Sequence, residues 1–241
     1  MVALRVPGPW RPLLLSLLLL LSPIGPVACA ATGSKAPVGC GSGGVPCLQG
    51  TVVVELKTSK GTVELSLDGA AAPLTAGNFV DLVRRGVYNN TLFHRVVREP
   101  IPFVVQGGDP QSANPNTPVD LLGTGSYVDP GNGQPRLSPL ELFLSGDSSP
   151  RYGEVLAGPG QQSRLRLQHQ RGAVAMARSA DPNSASAQFY IALKALPELD
   201  GRYAVFGRVT KGMEVVDRIS QGDKLISATV LQGGTLVKEA P

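Results

Sequence analysis

From Thr51 onward the apolar residues come in short runs that alternate with polar ones and break at glycine or proline. Alternation with period two is the mark of half-buried strands, and the breaks supply turns. Thr51–Thr58 (TVVVELKT) and Gly61–Asp68 (GTVELSLD) are two such runs, and Ser59-Lys60-Gly61 between them makes the pair a hairpin. Pro73-Leu74-Thr75 opens a helical pattern in which Phe79, Leu82 and Val83 recur at helical spacing until Gly86. Later strands are expected at Gly172–Ala177 (GAVAMA), Ala187–Leu193 (AQFYIAL), Tyr203–Val209 (YAVFGRV) and within Ile226–Val237, with a second helix over Gly212–Ser220. With the central pair described next, that is about eight strands and two helices, a closed barrel or a sandwich. Periodicity does not choose between the two.

The central pair is Phe93-His94-Arg95-Val96-Val97 and Phe103-Val104-Val105-Gln106, which stops at Gly107-Gly108-Asp109. Alternation puts Phe93, Arg95 and Val97 on one face of the first strand and His94 and Val96 on the other. On the second strand Val104 and Gln106 share a face, with Phe103 and Val105 opposite unless the chain twists at its start. Arg95 and Gln106 are therefore polar groups inside apolar strands. A guanidinium is seldom buried without a partner, and a carboxamide can hold one while leaving its charge available. The plainer reading is an edge-strand arginine facing water.

Residues 110–170 differ from the rest. They hold many Pro, Gly, Ser and Asn, a short apolar piece at Leu137–Leu144 and a basic-polar piece from Gln161 to Arg171. They read as a surface excursion with a short strand or turn around Leu140–Leu144. His169 is expected to be an exposed loop histidine. Asn89-Asn90-Thr91 is a glycosylation sequon, relevant only in a eukaryotic secretory route.

Residues 1–30 carry Arg5 and Arg11, an apolar run from Leu13 to Leu21 broken only by Ser16, and the small-residue end Ala28-Cys29-Ala30. These are the three parts of an export signal. Cleavage after Ala30 fits; the alternative is lipid attachment at Cys29. Without this segment the formal charge falls from +4 to +2, so basicity is no argument for nucleic acid. Residues 31–49, rich in Gly, Ala, Ser and Pro, read as a flexible tether before a domain over 50–241. Cys40 and Cys47 lie in it. An exported chain meets an oxidising compartment, which allows a local disulfide; two free thiols are the other reading. No further metal ligands stand near them.

Several motifs together resemble the cyclophilins, the barrel-type peptidyl-prolyl isomerases. They are Phe93-His94-Arg95, Phe103 with Gln106-Gly107-Gly108-Asp109, Met176-Ala177, Gln188-Phe189-Tyr190-Ile191, and Leu199-Asp200-Gly201 with Val205-Phe206-Gly207. They run in order between Val52 and Val237. The resemblance implies a mainly β fold, an eight-stranded antiparallel barrel capped by two helices, with an Xaa-Pro peptide bound outside it. It also implies that Arg95 and Gln106 are catalytic, that Phe103, Val104, Tyr190, Leu199 and Tyr203 wall a proline slot, and that Ala177, Arg178 and Gln188 line the neighbouring groove. Arg178 is expected to serve through its main chain.

The chemistry can be reasoned from the bond itself. Rotation about a peptide bond must cross about 18–20 kcal/mol because amide resonance is lost at the perpendicular geometry. Xaa-Pro bonds populate both isomers, so they are the useful substrate. In the twisted state the prolyl nitrogen regains a lone pair, and a fixed donor aimed at it stabilises that state above the planar one. No acid, base, nucleophile, cofactor or metal is required. Arg95 fits as donor, since a guanidinium stays charged and presents a rigid fork; Gln106 can orient it.

The sequence departs from the cyclophilin pattern in five places. The turn Arg98–Pro102 is three residues longer, Val104 stands for Met, Arg178 for Asn, Glu198 for Trp, and Tyr203 for His. These changes predict weak cyclosporin binding. The expected function is an exported prolyl isomerase, a monomer acting on Pro-containing clients in a periplasm or a thylakoid lumen. The long excursion resembles that of cyanobacterial and plastid lumenal members. The alternative is a cyclophilin-like binding or assembly module without turnover. A hydrolase has no Cys-His or Ser-His pairing to support it.

Overall fold

A computed structural model describes residue 40 and residues 45–158 and 160–237. The expected export signal, Cys29 and most of the tether lie outside the described residues. The strands and helices run in the order β1 (Cys47–Thr58), β2 (Gly61–Asp68), α1 (Pro73–Arg84), β3 (Thr91–Leu92), β4 (Arg95–Val97) and β5 (Val104–Gly107). Then come β6 (Glu141–Leu142), β7 (Arg151–Tyr152), β8 (Ala173–Met176), β9 (Phe189–Ala192), β10 (Val205–Lys211), α2 (Met213–Val216) and β11 (Lys224–Val237).

Nine of these strands form one antiparallel sheet in the order β3-β11-β1-β2-β10-β8-β9-β5-β4. Its two ends are successive pieces of one chain segment, separated only by Phe93 and His94. That segment bonds β11 and the preceding turn on one side, through Lys224↔Leu92 and Phe93 N to Asp223 O at 2.9 Å. On the other it pairs with β5, Arg95 opposite Gln106. The sheet therefore closes on itself as a barrel of eight staves, with β3 and β4 sharing one. A closed sheet leaves no open edge.

Alternation fills the interior. Val52, Val54 and Leu56 of β1 face Leu67, Leu65 and Val63 of β2 in register, and all are fully buried. Helix α1 adds Ala76, Phe79, Val80 and Leu82 to the same core. Phe79 lies 4.8 Å from the ring of Tyr88, 5.2 Å from Phe189 and 5.1 Å from Phe206. Pro73 starts the helix without a side-chain cap from Ala72. Its first amides are met from far along the chain: Glu141 accepts from Leu74 N at 3.1 Å and Thr75 N at 2.8 Å. A carboxylate there complements both the free N–H groups and the helix dipole.

Three expectations are corrected. Helix α2 covers Met213–Val216 only, shorter than Gly212–Ser220. The Arg98 guanidinium takes the carbonyls of Val216 and Ile219 at 3.0 and 2.8 Å, which satisfies the end of that turn from outside. Phe93 does not share a face with Arg95: it is fully buried in the barrel core, because it and His94 lie between β3 and β4, outside the alternating strand. At β5 the allowed exception holds: Phe103 precedes the strand and packs on the same side as Val104. The tether reading ends too late, since β1 begins at Cys47, and Cys40 and Cys47 form a disulfide with Cα atoms 5.6 Å apart.

The excursion lies largely at the surface, as expected, but part of it is packed. Leu140, Leu142, Leu144, Leu156 and Leu165 make a small core of their own with Ala204. β6 pairs with β7 near the expected short strand. Arg136 Nη1 reaches Asp81 Oδ2 of α1 at 2.6 Å, with both side chains largely buried. His169, expected in water, is 1% exposed. Its carboxylate and phenol partners, described below, compensate the burial of a polar ring in a way its polar sequence neighbours do not reveal.

Candidate functional site

The outward faces of β5, β8, β9 and β10 are apolar as well as the inward ones. Val104, Ala173, Ala175, Tyr190, Ala192 and Val205 form a second cluster with Leu196 on the outside of the barrel, and Phe103, Ala177, Leu199 and Tyr203 pack against it. Most of this face is buried, and the half-buried Phe103, Ala177, Leu199 and Tyr203 border an opening in it. The opening is a slot of about 270 Å³ lined by Arg95, Phe103, Val104, Gln106, Ala177, Arg178, Tyr190, Leu199 and Tyr203. A second hollow of about 460 Å³ adjoins it; both are bordered by Gln106, Ala177 and Arg178, and Gln188 lies in the second. Nine of the ten residues singled out in the sequence thus surround one slot, and Gln188 is next door.

Register explains the arrangement. Gln106 stands opposite Arg95 on β4 and opposite Tyr190 on β9, so the polar pair borders the aromatic wall. Arg95 is exposed, and its Nη1 donates to Gln106 Oε1 at 3.3 Å. Gln106 Nε2 donates to Gln188 Oε1 at 3.2 Å. Gln188 Nε2 donates to the carbonyl oxygens of Gly123 and Gly125, both at 2.9 Å. The far end of this chain is made of acceptors that cannot donate. Gln188 must present its NH₂ to them, which turns its oxygen to Gln106, which in turn presents oxygen to Arg95. The direction of every bond is therefore set by two backbone carbonyls in the excursion. Gly123 is needed for its own reasons: its φ is +89°, and a Cβ would stand 3.0 Å from the His94 ring.

Tyr190 has a second layer of support. Its hydroxyl lies 2.8 Å from His169 Nε2, and His169 Nδ1 lies 2.7 Å from Asp200 Oδ1. The His169 ring stacks on the Tyr190 ring at 5.9 Å between centroids, with Tyr203 edge-on to Tyr190 at 5.9 Å. Burial raises the Tyr190 phenol well above its usual range. Burial also lowers the His169 imidazole, against the hydrogen bond and charge of Asp200, which pull it up. His94 is buried behind Arg95, and burial lowers its imidazole too, which keeps it neutral near pH 7.

Arg178 is bound through its side chain rather than left free. Nη2 donates to Arg202 O at 2.7 Å, Nη1 to Ser179 O at 2.8 Å, and the guanidinium carbon lies 4.7 Å from the centre of the Tyr203 ring. It stiffens the rim between slot and hollow. The Gly123 and Gly125 carbonyls, His169 and Asp200 were not singled out as site residues. Asp200 stood in a turn motif, His169 stood in a polar stretch, and backbone carbonyls leave no sequence signal.

An eight-stave antiparallel barrel with an external apolar slot beside a carboxamide-held arginine is the architecture of one class of proteins, the prolyl-isomerase barrels. The chain belongs to the cyclophilin family: the family described as "Cyclophilin type peptidyl-prolyl cis-trans isomerase/CLD" matches residues 53–236. A Synechocystis protein whose name places it in the thylakoid lumen as a peptidyl-prolyl cis-trans isomerase is 38% identical over 78% of this chain and 49% of its own length. The chain thus spans about half of that relative. The peptidyl-prolyl cis-trans isomerase CYP18-2 of Arabidopsis thaliana is 33% identical over 69% of this chain and 79% of its own length. Among solved structures, the cyclophilin AquaCyp293 of Hirschia baltica covers 75% of this chain and 76% of its own, at 26% identity and a TM-score of 0.53. A cyclophilin of Cryptosporidium parvum, solved in the presence of the dipeptide Ala-Pro, has the same fold at 23% identity and a TM-score of 0.55, over 75% of this chain and 99% of its own.

Proposed function

We propose that this chain accelerates cis-trans isomerisation of Xaa-Pro bonds in exported polypeptides, with Arg95 as the catalytic donor. The observation that carries the reading is the Arg95 guanidinium at the mouth of an apolar slot, aimed by Gln106 at 3.3 Å. The proline ring enters between Phe103, Val104, Tyr190, Leu199 and Tyr203, while the peptide backbone runs past Ala177 and Gln188. Gln106 engages Nη1 of the fork, and Arg95 makes no other side-chain hydrogen bond among the described residues. As the bond twists, the prolyl nitrogen gains a lone pair, and the charged donor stabilises it more than it does the planar amide. One such donor contributes about 2.7–4 kcal/mol where analogous oxyanion donors have been removed. Residues 1–30, the Cys40–Cys47 disulfide and the lumenal name of a relative support action outside the cytoplasm, in a periplasm or a thylakoid lumen.

The test is the exchange rate of a short Xaa-Pro peptide followed by NMR, with the chain and with Arg95→Ala. The expected result is acceleration that falls roughly a hundredfold or more in the variant. Acceleration that survives Arg95→Ala discards the mechanism. A folded protein that binds the peptide without accelerating it is the binding module instead.

A further inference from the structure

Behind the slot lie three buried polar groups that the donor mechanism does not use: Asp200, His169 and the Tyr190 hydroxyl. We infer that His169, held by Asp200, is a positioning residue for the slot, fixing the aromatic wall by accepting the Tyr190 hydroxyl and coupling peptide affinity to its own protonation. The inference rests on the proline-slot reading above and names what holds that slot in shape.

Asp200 Oδ1 accepts two donors from one residue, the backbone N of His169 at 2.8 Å and its Nδ1 at 2.7 Å. A carboxylate only accepts, so the proton of the neutral imidazole sits on Nδ1. Nε2 then carries a lone pair, and the Tyr190 O–H donates to it at 2.8 Å. All three residues are nearly excluded from solvent, Tyr190 at 4%, His169 at 1% and Asp200 at 7% exposure. The His169 carbonyl is itself held by Leu196 N at 2.8 Å. A phenylalanine would fill the same volume without a buried hydroxyl to satisfy. The hydroxyl instead anchors the far end of the ring, whose near side borders the slot.

The charged and titratable groups around the imidazole are Asp200 and Glu198, from the turn after Leu196, and Tyr190 of β9. Tyr190 in turn faces Tyr203 and Arg178. Protonation puts a hydrogen on Nε2 and turns an acceptor into a donor. The Tyr190 proton must then leave that direction, and the Tyr190 hydroxyl makes no other hydrogen bond among the described residues. Burial holds the imidazole below its ordinary value of 6.5 despite Asp200, so the change comes on the acid side of that value. Peptide affinity therefore falls as pH falls through that range.

The experiment is an NMR titration of the chain and of Tyr190→Phe with a peptide bearing one Ala-Pro bond, at about pH 7.5 and about pH 5.5, reading affinity and exchange rate together. Tyr190→Phe keeps the ring and removes one atom, and loss of one hydrogen bond predicts a dissociation constant raised roughly two- to tenfold. The exchange rate at saturation is read beside it, and a fall in that rate with affinity unchanged overturns the inference. The wild-type constant is expected to rise toward the acid pH more steeply than that of Tyr190→Phe. Equal affinities and equal pH dependence overturn the inference. Wild type that binds without accelerating exchange overturns the isomerase reading, and the affinity comparison still decides this one. The ¹⁵N spectrum of His169 needs no peptide: Nδ1 protonation supports the inference, and an Nε2-protonated neutral ring overturns it.

Discussion

Gln106 Nε2 donates to Gln188 Oε1 at 3.2 Å, and this bond determines which end of Gln106 faces Arg95. Gln106 lies in β5 and Gln188 just before β9, but the direction of the bond is imposed from the excursion through the Gly123 and Gly125 carbonyls. Replacing Gln188 by Leu removes that instruction. Gln106 is then free to turn its NH₂ toward the guanidinium, which repels it. The expected result is a fall of roughly tenfold in the rate of exchange at saturation, the size of one misdirected hydrogen bond. An unchanged rate in Gln188→Leu would show that Gln106 holds its orientation alone.

Asp81 joins α1 to the excursion through Arg136 at 2.6 Å and receives Arg85 at 2.7 Å. Burial alone would raise the Asp81 carboxyl, but the hydrogen bonds from Arg136 and Arg85 outweigh it and hold it below its ordinary value of 3.8. A carboxyl depressed by folding adds stability above its unfolded value, and that stability is lost as pH falls through the folded value. Asp81→Asn removes this contribution and leaves Arg136 buried with a poorer partner. The urea midpoint at neutral pH should drop by the equivalent of about 3–5 kcal/mol. The variant should also lose part of the acid dependence that wild type has below about pH 3.9. Identical acid profiles would remove Asp81 from that account.

The Cys40–Cys47 bridge packs with Val45 and Leu74 against Tyr152, a cluster that holds no slot residue. It closes a loop with a sequence separation of 7. Loop-closure entropy for so short a loop gives about 2 kcal/mol. Reduction should lower the thermal midpoint by several degrees, roughly 4–8 °C for about 2 kcal/mol in a domain of this size. Peptide exchange at 25 °C should be unchanged. Loss of exchange on reduction, in protein that is still folded, would tie the bridge to the site.

Cyclosporin binding is expected to be weaker than about 1 µM, or about 8.2 kcal/mol. Glu198 occupies the exposed turn beside Leu199 where the family has an indole, and Val104 presents less surface than methionine. Calorimetric titration measures it, and a submicromolar constant contradicts the assignment of those two positions.

Much of this protein was readable along the chain. The β1–β2 hairpin, α1 from Pro73 and the strands around Ala175, Tyr190 and Phe206 follow from period two, helical spacing and turn residues, which are local consequences of backbone geometry. The ten slot and groove residues came from motifs that resemble a family, since an apolar residue on an outward face looks the same in sequence as one in the core. Closure of the barrel did not follow from pattern; it needed one segment, Thr91–Val97, to bond β11 with its first half and β5 with its second. Nor did the role of the excursion. Glu141 meets the amides of Leu74 and Thr75, Arg136 meets Asp81, and Gly125 meets Gln188, all across more than fifty residues of chain. His169 was misplaced for the same reason: its partners, Tyr190 and Asp200, lie on later elements. The amino-acid order determined which faces are apolar and where strands start and stop, because those depend on neighbours in the chain. The tertiary structure alone decided which polar groups are satisfied and in which direction their hydrogen bonds run, because desolvated donors and acceptors find partners by proximity in space.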